Sequence, residues 1–216
     1  MDKELSRLGQ RFVRYADDFV IYVKSKRAGE RVLESIAKFI EKDLKIIVNT
    51  DKSEVGSPTR LKFLSCLIHT ANDQCRFIHT KQAKQKFKRT LKNRTSRQRP
   101  GKFEEIVKEI NQVTRGWINY FGLGFIKSFV KEIESWLHRR IRQLILKRWK
   151  RPKTIIKRLM SNGLDIDFAK RIAFSHKKYW RLLANPKIHW AIITKRFYQW
   201  GLVPLNQLVE SAHEKY

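Results

Sequence analysis

The first 80 positions alternate short β-branched and aromatic runs with turn-forming residues. Phe12-Val13-Arg14-Tyr15 and Phe19-Val20-Ile21-Tyr22-Val23 flank a polar centre, Ala16-Asp17-Asp18. That is the composition of a β-hairpin with two carboxylates at its tip. Over 28–44 the apolar residues Val32, Ile36, Phe39, Ile40 and Leu44 recur at helical spacing between charges, which predicts a helix. Ile46-Ile47-Val48 and then Leu61 to His69 return to strand composition, and Asn72-Asp73 offers a turn before Arg76-Phe77-Ile78-His79. The order hairpin, helix, strand, hairpin predicts an α+β fold in which a helix packs on one face of a sheet.

Beyond residue 80 the period changes to that of helices. Lys81, Lys84 and Lys88 stack along one helix face, and Phe103, Ile106, Val107, Ile110 and Val113 form an apolar stripe ending near Gly116. A further helix over 128–150 carries Phe129, Ile133, Trp136, Leu137, Ile141, Leu144 and Ile145 as its buried stripe. Arg139, Arg140, Arg142, Lys147 and Arg148 occupy much of its remaining circumference. Arginine suits bidentate phosphate contact, so that face is a predicted phosphate-binding surface. Pro152 breaks the helix, and Ile155, Ile156 and Leu159 face inward from a shorter one that Gly163 ends. Asn185-Pro186 has the form of a helix start, with Asn as cap and Pro at the first position. Trp117, Tyr120 and Phe121 are read as packing in preference to a base-stacking platform, and the lone His176 and His189 as packing or hydrogen-bonding residues.

Charge sharpens this division. The chain of 216 residues carries 48 Lys+Arg and 20 Asp+Glu, a net of +28. Residues 1–80 hold 15 basic against 11 acidic side chains, and residues 81–216 hold 33 against 9, together with all six tryptophans. A near-neutral segment that positions carboxylates thus precedes a basic, aromatic-rich one. Ten Lys/Arg and no acid lie between Lys81 and Lys102. Unneutralised like charges destabilise a helix, so phosphates are the natural compensation, with nucleic acid the first candidate partner. Cys66 and Cys75 are too few for a disulfide framework or a Cys-rich zinc site. No apolar run has the length of a spanning helix, and no apolar signal region opens the chain. These features predict a cytoplasmic protein with no membrane partner.

Adjacent carboxylates on a tight turn repel one another unless they share a cation. Carboxylates suit Mg²⁺, which also binds substrate phosphates, and two such ions activate the attacking oxygen and stabilise the leaving one in phosphoryl transfer. Arg14-Tyr15-Ala16-Asp17-Asp18-Phe19 resembles the YADD catalytic loop of reverse transcriptases. The surrounding text resembles the proteins encoded by bacterial group II introns, which are reverse transcriptases and maturases. Asn49 and Lys52-Ser53 match the segment that follows the helix in that family, and Leu61-Lys62-Phe63-Leu64-Ser65-Cys66 matches the hairpin supporting the primer end. The family usually has Gly where Ser65 stands and an aromatic where Cys66 stands. Arg115-Gly116-Trp117-Ile118-Asn119-Tyr120-Phe121 is similar to the maturase signature, and Trp149 to Lys153 and Tyr179-Trp180-Arg181 to the family's C-terminal tail.

The resemblance implies the C-terminal half of a reverse-transcriptase palm over 1–80, followed by a mainly α-helical thumb and maturase region over 81–150 and a basic aromatic helical tail over 151–216. It implies Asp17 and Asp18 as catalytic metal ligands, and Tyr15, Ala16, Lys52, Phe63 and Leu64 as residues against the substrate or primer. RNA-binding candidates are Lys81, Lys84, Lys88, Arg94, Arg97, Arg99, Arg139, Arg140, Arg142, Lys147, Arg148, Lys150, Arg151 and Lys153. Group II intron RNA and an RNA template/DNA primer duplex are the implied partners. In the family, fingers and a first palm half with a further catalytic Asp precede the YADD loop, and only 16 residues precede Asp17 here. The expectation is therefore a truncated enzyme in which Mg²⁺ serves only in an active site completed by a separate N-terminal fragment, with RNA binding retained. No His/Cys nuclease pattern follows Trp200, so no nuclease domain is expected. The alternative is a non-catalytic RNA-binding splicing cofactor with a relic active-site loop. A cationic membrane-associated protein is the weaker third reading.

Overall fold

The computed structural model describes residues 1–71 and 74–214. The backbone divides into two compact units, Met1–Thr80 and a second beginning at Lys81.

In the first unit, helix α1 (Asp2–Arg7) precedes strands β1 (Arg11–Tyr15) and β2 (Asp18–Tyr22), which pair antiparallel with Tyr15 opposite Asp18. The connection is the two-residue loop Ala16-Asp17. Ala16 adopts φ +51°, the left-handed backbone that two-residue hairpin loops require. Helix α2 (Lys26–Lys42) starts where the Ser25 hydroxyl accepts from the Ala28 amide at 3.2 Å, satisfying one of the helix's orphan donors. Gly29 lies on its buried face, where a Cβ would come within 2.6 Å of Val55, so only glycine lets this loop approach the helix.

The segment 46–48, expected as a strand, forms none. Ile47 is 91% exposed, because no neighbouring strand offers it a ladder among the described residues. The expected run from Leu61 to His69 becomes a tight turn followed by strand β3 (Cys66–Ala71), which pairs with β4 (Gln74–His79), Cys66 opposite His79. Phe63 and Cys66 exchange both backbone hydrogen bonds, at 3.0 and 2.8 Å. Leu64 and Ser65 between them take φ +49° and +63°, the sign pattern of a type I′ turn. Ser65 thus holds the backbone shape that glycine adopts without strain. The turn expected at Asn72-Asp73 lies outside the described residues. Among its described residues the first unit carries two separate two-stranded ladders, β1-β2 and β3-β4, in place of one continuous sheet.

The second unit is helical: α3 (Lys81–Arg94), α4 (Phe103–Phe121), α5 (Lys127–Arg148), α6 (Pro152–Met160), α7 (Ile166–Ala173), α8 (Tyr179–Leu182), α9 (Pro186–Ala191), α10 (Thr194–Gln199) and α11 (Leu205–His213). One hydrophobic core runs from Phe87 and Leu91 of α3 through α4 and α5 to Phe197, Leu205 and Val209. Pro152 opens α6 at its first position and Pro186 opens α9, whose cap Asn185 accepts from the Lys187 amide at 3.0 Å, as expected of a ring that lacks a donor the first turn would leave orphaned anyway.

The C-terminal segment is fastened to the rest of this unit by side chains from distant helices. Asn111 of α4 accepts from the Val203 amide at 3.0 Å and donates to the Gly201 carbonyl at 2.7 Å. Pro204 precedes α11 and has no side-chain oxygen to cap it, so Glu134 of α5 accepts from the Leu205 amide at 2.8 Å instead. α5 is the hub. From Ile141 to Leu146 every residue is buried, Arg142 and Gln143 included.

Candidate nucleic-acid interface and carboxylate loop

Asp17 ends the β1–β2 loop and Asp18 opens β2, and both are exposed. The loop is held from beneath by Arg14. Its guanidinium donates to the Ala16 carbonyl at 3.2 Å and forms a two-pronged pair with Asp2, at 2.6 and 2.9 Å. Arg14 thereby ties the loop to α1, while neither the Asp17 nor the Asp18 carboxylate makes a hydrogen bond or ion pair among the described residues. Tyr15 is exposed and Phe63 and Leu64 are half-buried. Asn49 accepts from the Lys52 amide at 3.2 Å and the Ser53 hydroxyl donates to the Asn49 carbonyl at 2.9 Å. This local cap leaves the Lys52 side chain exposed, and no hydrogen bond or ion pair joins it to either aspartate. The donor chemistry of the pair fits Mg²⁺, which takes one or two carboxylates and completes its shell with water and phosphate oxygens. No group of three or more His, Cys, Asp or Glu side chains assembles among the described residues.

The basic candidates of the second unit fall into two classes. On α3, Lys81 is exposed, Lys84 lies over the Phe129 ring at 5.2 Å, and Lys88 lies over Trp136 at 5.5 Å and 3.5 Å from Glu132. The stripe thus rests its second and third members on aromatic residues of α5. Arg94 and Arg99 converge on Glu109, Arg94 at 2.8 Å, and the Arg99 guanidinium holds that carboxyl below its ordinary range. Arg97 stays exposed. Around Trp117 the aromatics pack: its ring stacks on Phe87 at 4.5 Å and touches Phe121 and Phe129.

The expected arginine face of α5 is not a free surface. Arg142 is 5% exposed, and its Nε donates to the Ile192 carbonyl at 2.9 Å while Nη2 donates to the Thr194 hydroxyl at 3.0 Å. Arg140 donates to the Lys92 and Thr95 carbonyls at 2.9 and 3.0 Å and to the Thr95 hydroxyl. Arg139 donates to the Trp180 carbonyl at 2.6 Å with its guanidinium 4.1 Å from the centre of that indole. Arg148 donates to the Gly101 carbonyl at 2.8 Å. These four arginines fasten loops and tail to the hub through backbone carbonyls. The physical reason is the tail itself: α8 to α10 and the loop after α3 supply carbonyls that need donors, and long guanidinium stems reach them. Burial holds the Arg142 and Arg140 guanidinium groups below their ordinary values. Lys147, Lys150, Arg151 and Lys153, by contrast, are exposed, and their side chains make no hydrogen bond or ion pair among the described residues.

His138 escapes a reading based on motifs. It lies one turn before Arg142, its ring 5.6 Å from that of Phe197, and its Nε2 is buried with no hydrogen-bond partner among the described residues. Burial, reinforced by the Arg142 charge, lowers its pKa to about 4. In the unfolded chain an imidazole titrates near 6.5. Below that pH the unfolded state therefore binds a proton that the folded state refuses until about 4. Stability is fully present at pH 7 and declines as pH falls from about 6.5 towards 4. Urea midpoints between pH 7.5 and 4.5 follow this decline, and His138→Gln flattens it. An unaltered pH slope in that variant contradicts the assignment.

Comparison with known families follows the same division of the chain. The family model described as reverse transcriptase (RNA-dependent DNA polymerase) matches residues 1–78, and the model described as group II intron, maturase-specific domain matches residues 84–162. No curated protein matches the chain. Two family models in this order, one ending where the helical unit begins and the other starting inside its first helix, agree with the carboxylate loop and the helical hub: the chain belongs to the group II intron reverse transcriptase/maturase family.

Proposed function

We propose that these 216 residues act chiefly as the RNA-binding portion of a group II intron reverse transcriptase/maturase, gripping intron RNA, and in the assembled enzyme a template–primer duplex, with the cations of the helical unit. The observation that carries this reading is the exposed set Lys147, Lys150, Arg151 and Lys153 together with Lys81, Lys86, Arg89 and Arg97, none of them engaged by an internal acid among the described residues. Charge left unpaired on a folded surface attracts a polyanion and releases its counterions on contact.

Asp17 and Asp18 are the residues that would hold Mg²⁺, which when bound supplies charge neutralisation to phosphate oxygens. Arg14 keeps their loop in its strained left-handed turn, and Tyr15 and Ala16 beside them form the floor on which a primer end would rest. Two adjacent carboxylates are the donors these residues contribute, and polymerisation in this family draws a further Asp from the first half of the palm. A polypeptide of these 216 residues alone then binds RNA without copying it.

Primer extension with the purified chain, Mg²⁺ and deoxynucleotides on an RNA template is expected to give no product above background, while a gel shift with intron RNA is strong and is altered less than about twofold by Asp17→Ala. Robust extension by the chain alone, or a large loss of RNA binding in Asp17→Ala, contradicts this division of roles.

A further inference from the structure

A cleft of about 710 Å³ in the C-terminal tail is lined by Ser175, His176, Lys177, Lys178, Trp180 and Arg181. It lies beyond residue 162, outside both segments that the family models match. Three of its six lining residues are cations and none is an acid. Lys177, Lys178 and Arg181 are exposed and make no side-chain hydrogen bond or ion pair among the described residues. The turn that carries the first of them is fixed by the Ser175 hydroxyl, which accepts from the Lys177 amide at 3.2 Å.

Trp180 differs from the ring cluster of the core. Phe87, Trp117 and Phe129 pack on one another in the core, whereas Trp180 lines the cleft and has a guanidinium as its ring partner. Arg139 sits 4.1 Å from its centroid and also holds its carbonyl at 2.6 Å. The indole thus has the Arg139 guanidinium as its ring partner and lines a recess that also carries Lys177, Lys178 and Arg181. A rigid aromatic plane with cations at its rim is the arrangement that takes an unstacked base and the phosphate attached to it. A duplex keeps its bases stacked inside and offers such a recess nothing but backbone.

We propose that this cleft is a single-nucleotide subsite for single-stranded RNA, in which a base stacks on Trp180 and its flanking phosphates lie against Lys177, Lys178 and Arg181. The proposal deepens the RNA-binding reading and rests on it. It assigns to the tail a role separate from duplex gripping, that of holding an unpaired nucleotide.

The test uses the full chain with three probes: an eight-nucleotide uridine RNA, the matching thymidine DNA, and a 16-base-pair duplex RNA. Trp180→Ala is expected to lower affinity for the uridine RNA about tenfold, the loss of one base–aromatic stack, and to alter duplex affinity less than twofold. Because removing an indole can unsettle the fold, a second variant reverses two exposed charges, Lys178→Glu with Arg181→Glu, and is expected to lower uridine-RNA affinity by at least tenfold with an unchanged melting temperature. Photocrosslinking of a 4-thiouridine probe places its adduct within residues 175–181. The subsite is overturned if both variants bind the uridine RNA like the unaltered chain, if adducts fall only elsewhere, or if the thymidine DNA binds and the uridine RNA does not. If the chain binds none of the probes at low salt, the RNA-binding reading itself fails, an outcome distinct from strong duplex binding with an idle cleft.

Discussion

Raising the salt concentration from 50 to 200 mM lowers the affinity of the chain for RNA by about 10³–10⁵, the loss that follows from neutralising 6–10 phosphates. The number of contacts is set by geometry as much as by composition. Of the 48 Lys and Arg residues, Arg139, Arg140, Arg142 and Arg148 are committed to carbonyls inside the helical unit, and Arg94 and Arg99 share Glu109. What remains exposed and unengaged near α3 and around the α5–α6 junction is sufficient for that many contacts. Filter binding at four salt concentrations gives the slope directly. A logarithmic slope between about −5 and −9 is expected, and a nearly flat one contradicts phosphate gripping by this surface.

Arg142→Ala destabilises the chain by about 3 kcal/mol and leaves the RNA affinity of the folded protein unchanged. The substitution removes two charge-assisted hydrogen bonds and strands the Ile192 carbonyl in the interior. Bonds to charged groups contribute about 1.5–3 kcal/mol each, and a buried acceptor left unpaired costs about 1–3 kcal/mol. It also opens a void beside Phe197, over which the guanidinium lies at 5.2 Å, so relaxation of the tail recovers little. Urea denaturation followed by helical circular dichroism measures the loss. An unaltered midpoint combined with weakened RNA binding places Arg142 on phosphate instead of on the tail.

That contrast marks where sequence reading succeeds and where it stops. The hairpin around Asp17-Asp18 was legible because strand composition flanks the short polar centre Ala16-Asp17-Asp18 on both sides. The stripe Ile106, Val107, Ile110 was legible because helical period alone dictates which side faces the core. The burial of Arg142 was not legible because a helix wheel shows two faces and cannot show what covers the second one. The distance from Arg142 to Ile192 is 50 positions, and no local pattern carries it. One signal was present: Ile141, Leu144, Ile145 and Leu146 with Leu137 leave little of that helix's circumference for solvent, so arginines among them belong to the interior. Segment 46–48 failed in the opposite direction, since β-branched residues form a strand only where a partner edge exists.

The departure of Ser65 from the family's glycine was legible in the sequence, and its consequence was not. The backbone keeps the left-handed turn with serine in place, at a local cost of roughly 1–2 kcal/mol for a residue carrying a Cβ. The two hydrogen bonds between Phe63 and Cys66 and the ladder beyond them hold it there. Leu64 therefore stays at the tip expected to meet the primer.

The most direct test of the division between a carboxylate-bearing unit and an RNA-gripping unit is lysine footprinting: acetylation of the chain with and without intron RNA, read by mass spectrometry. Protection is expected at Lys81, Lys86, Lys147, Lys150 and Lys153, with Lys24, Lys26, Lys38 and Lys42 acetylated equally in both samples. Protection concentrated on those four lysines of the first unit, with the α5–α6 junction left reactive, contradicts the assignment of RNA binding to the helical unit.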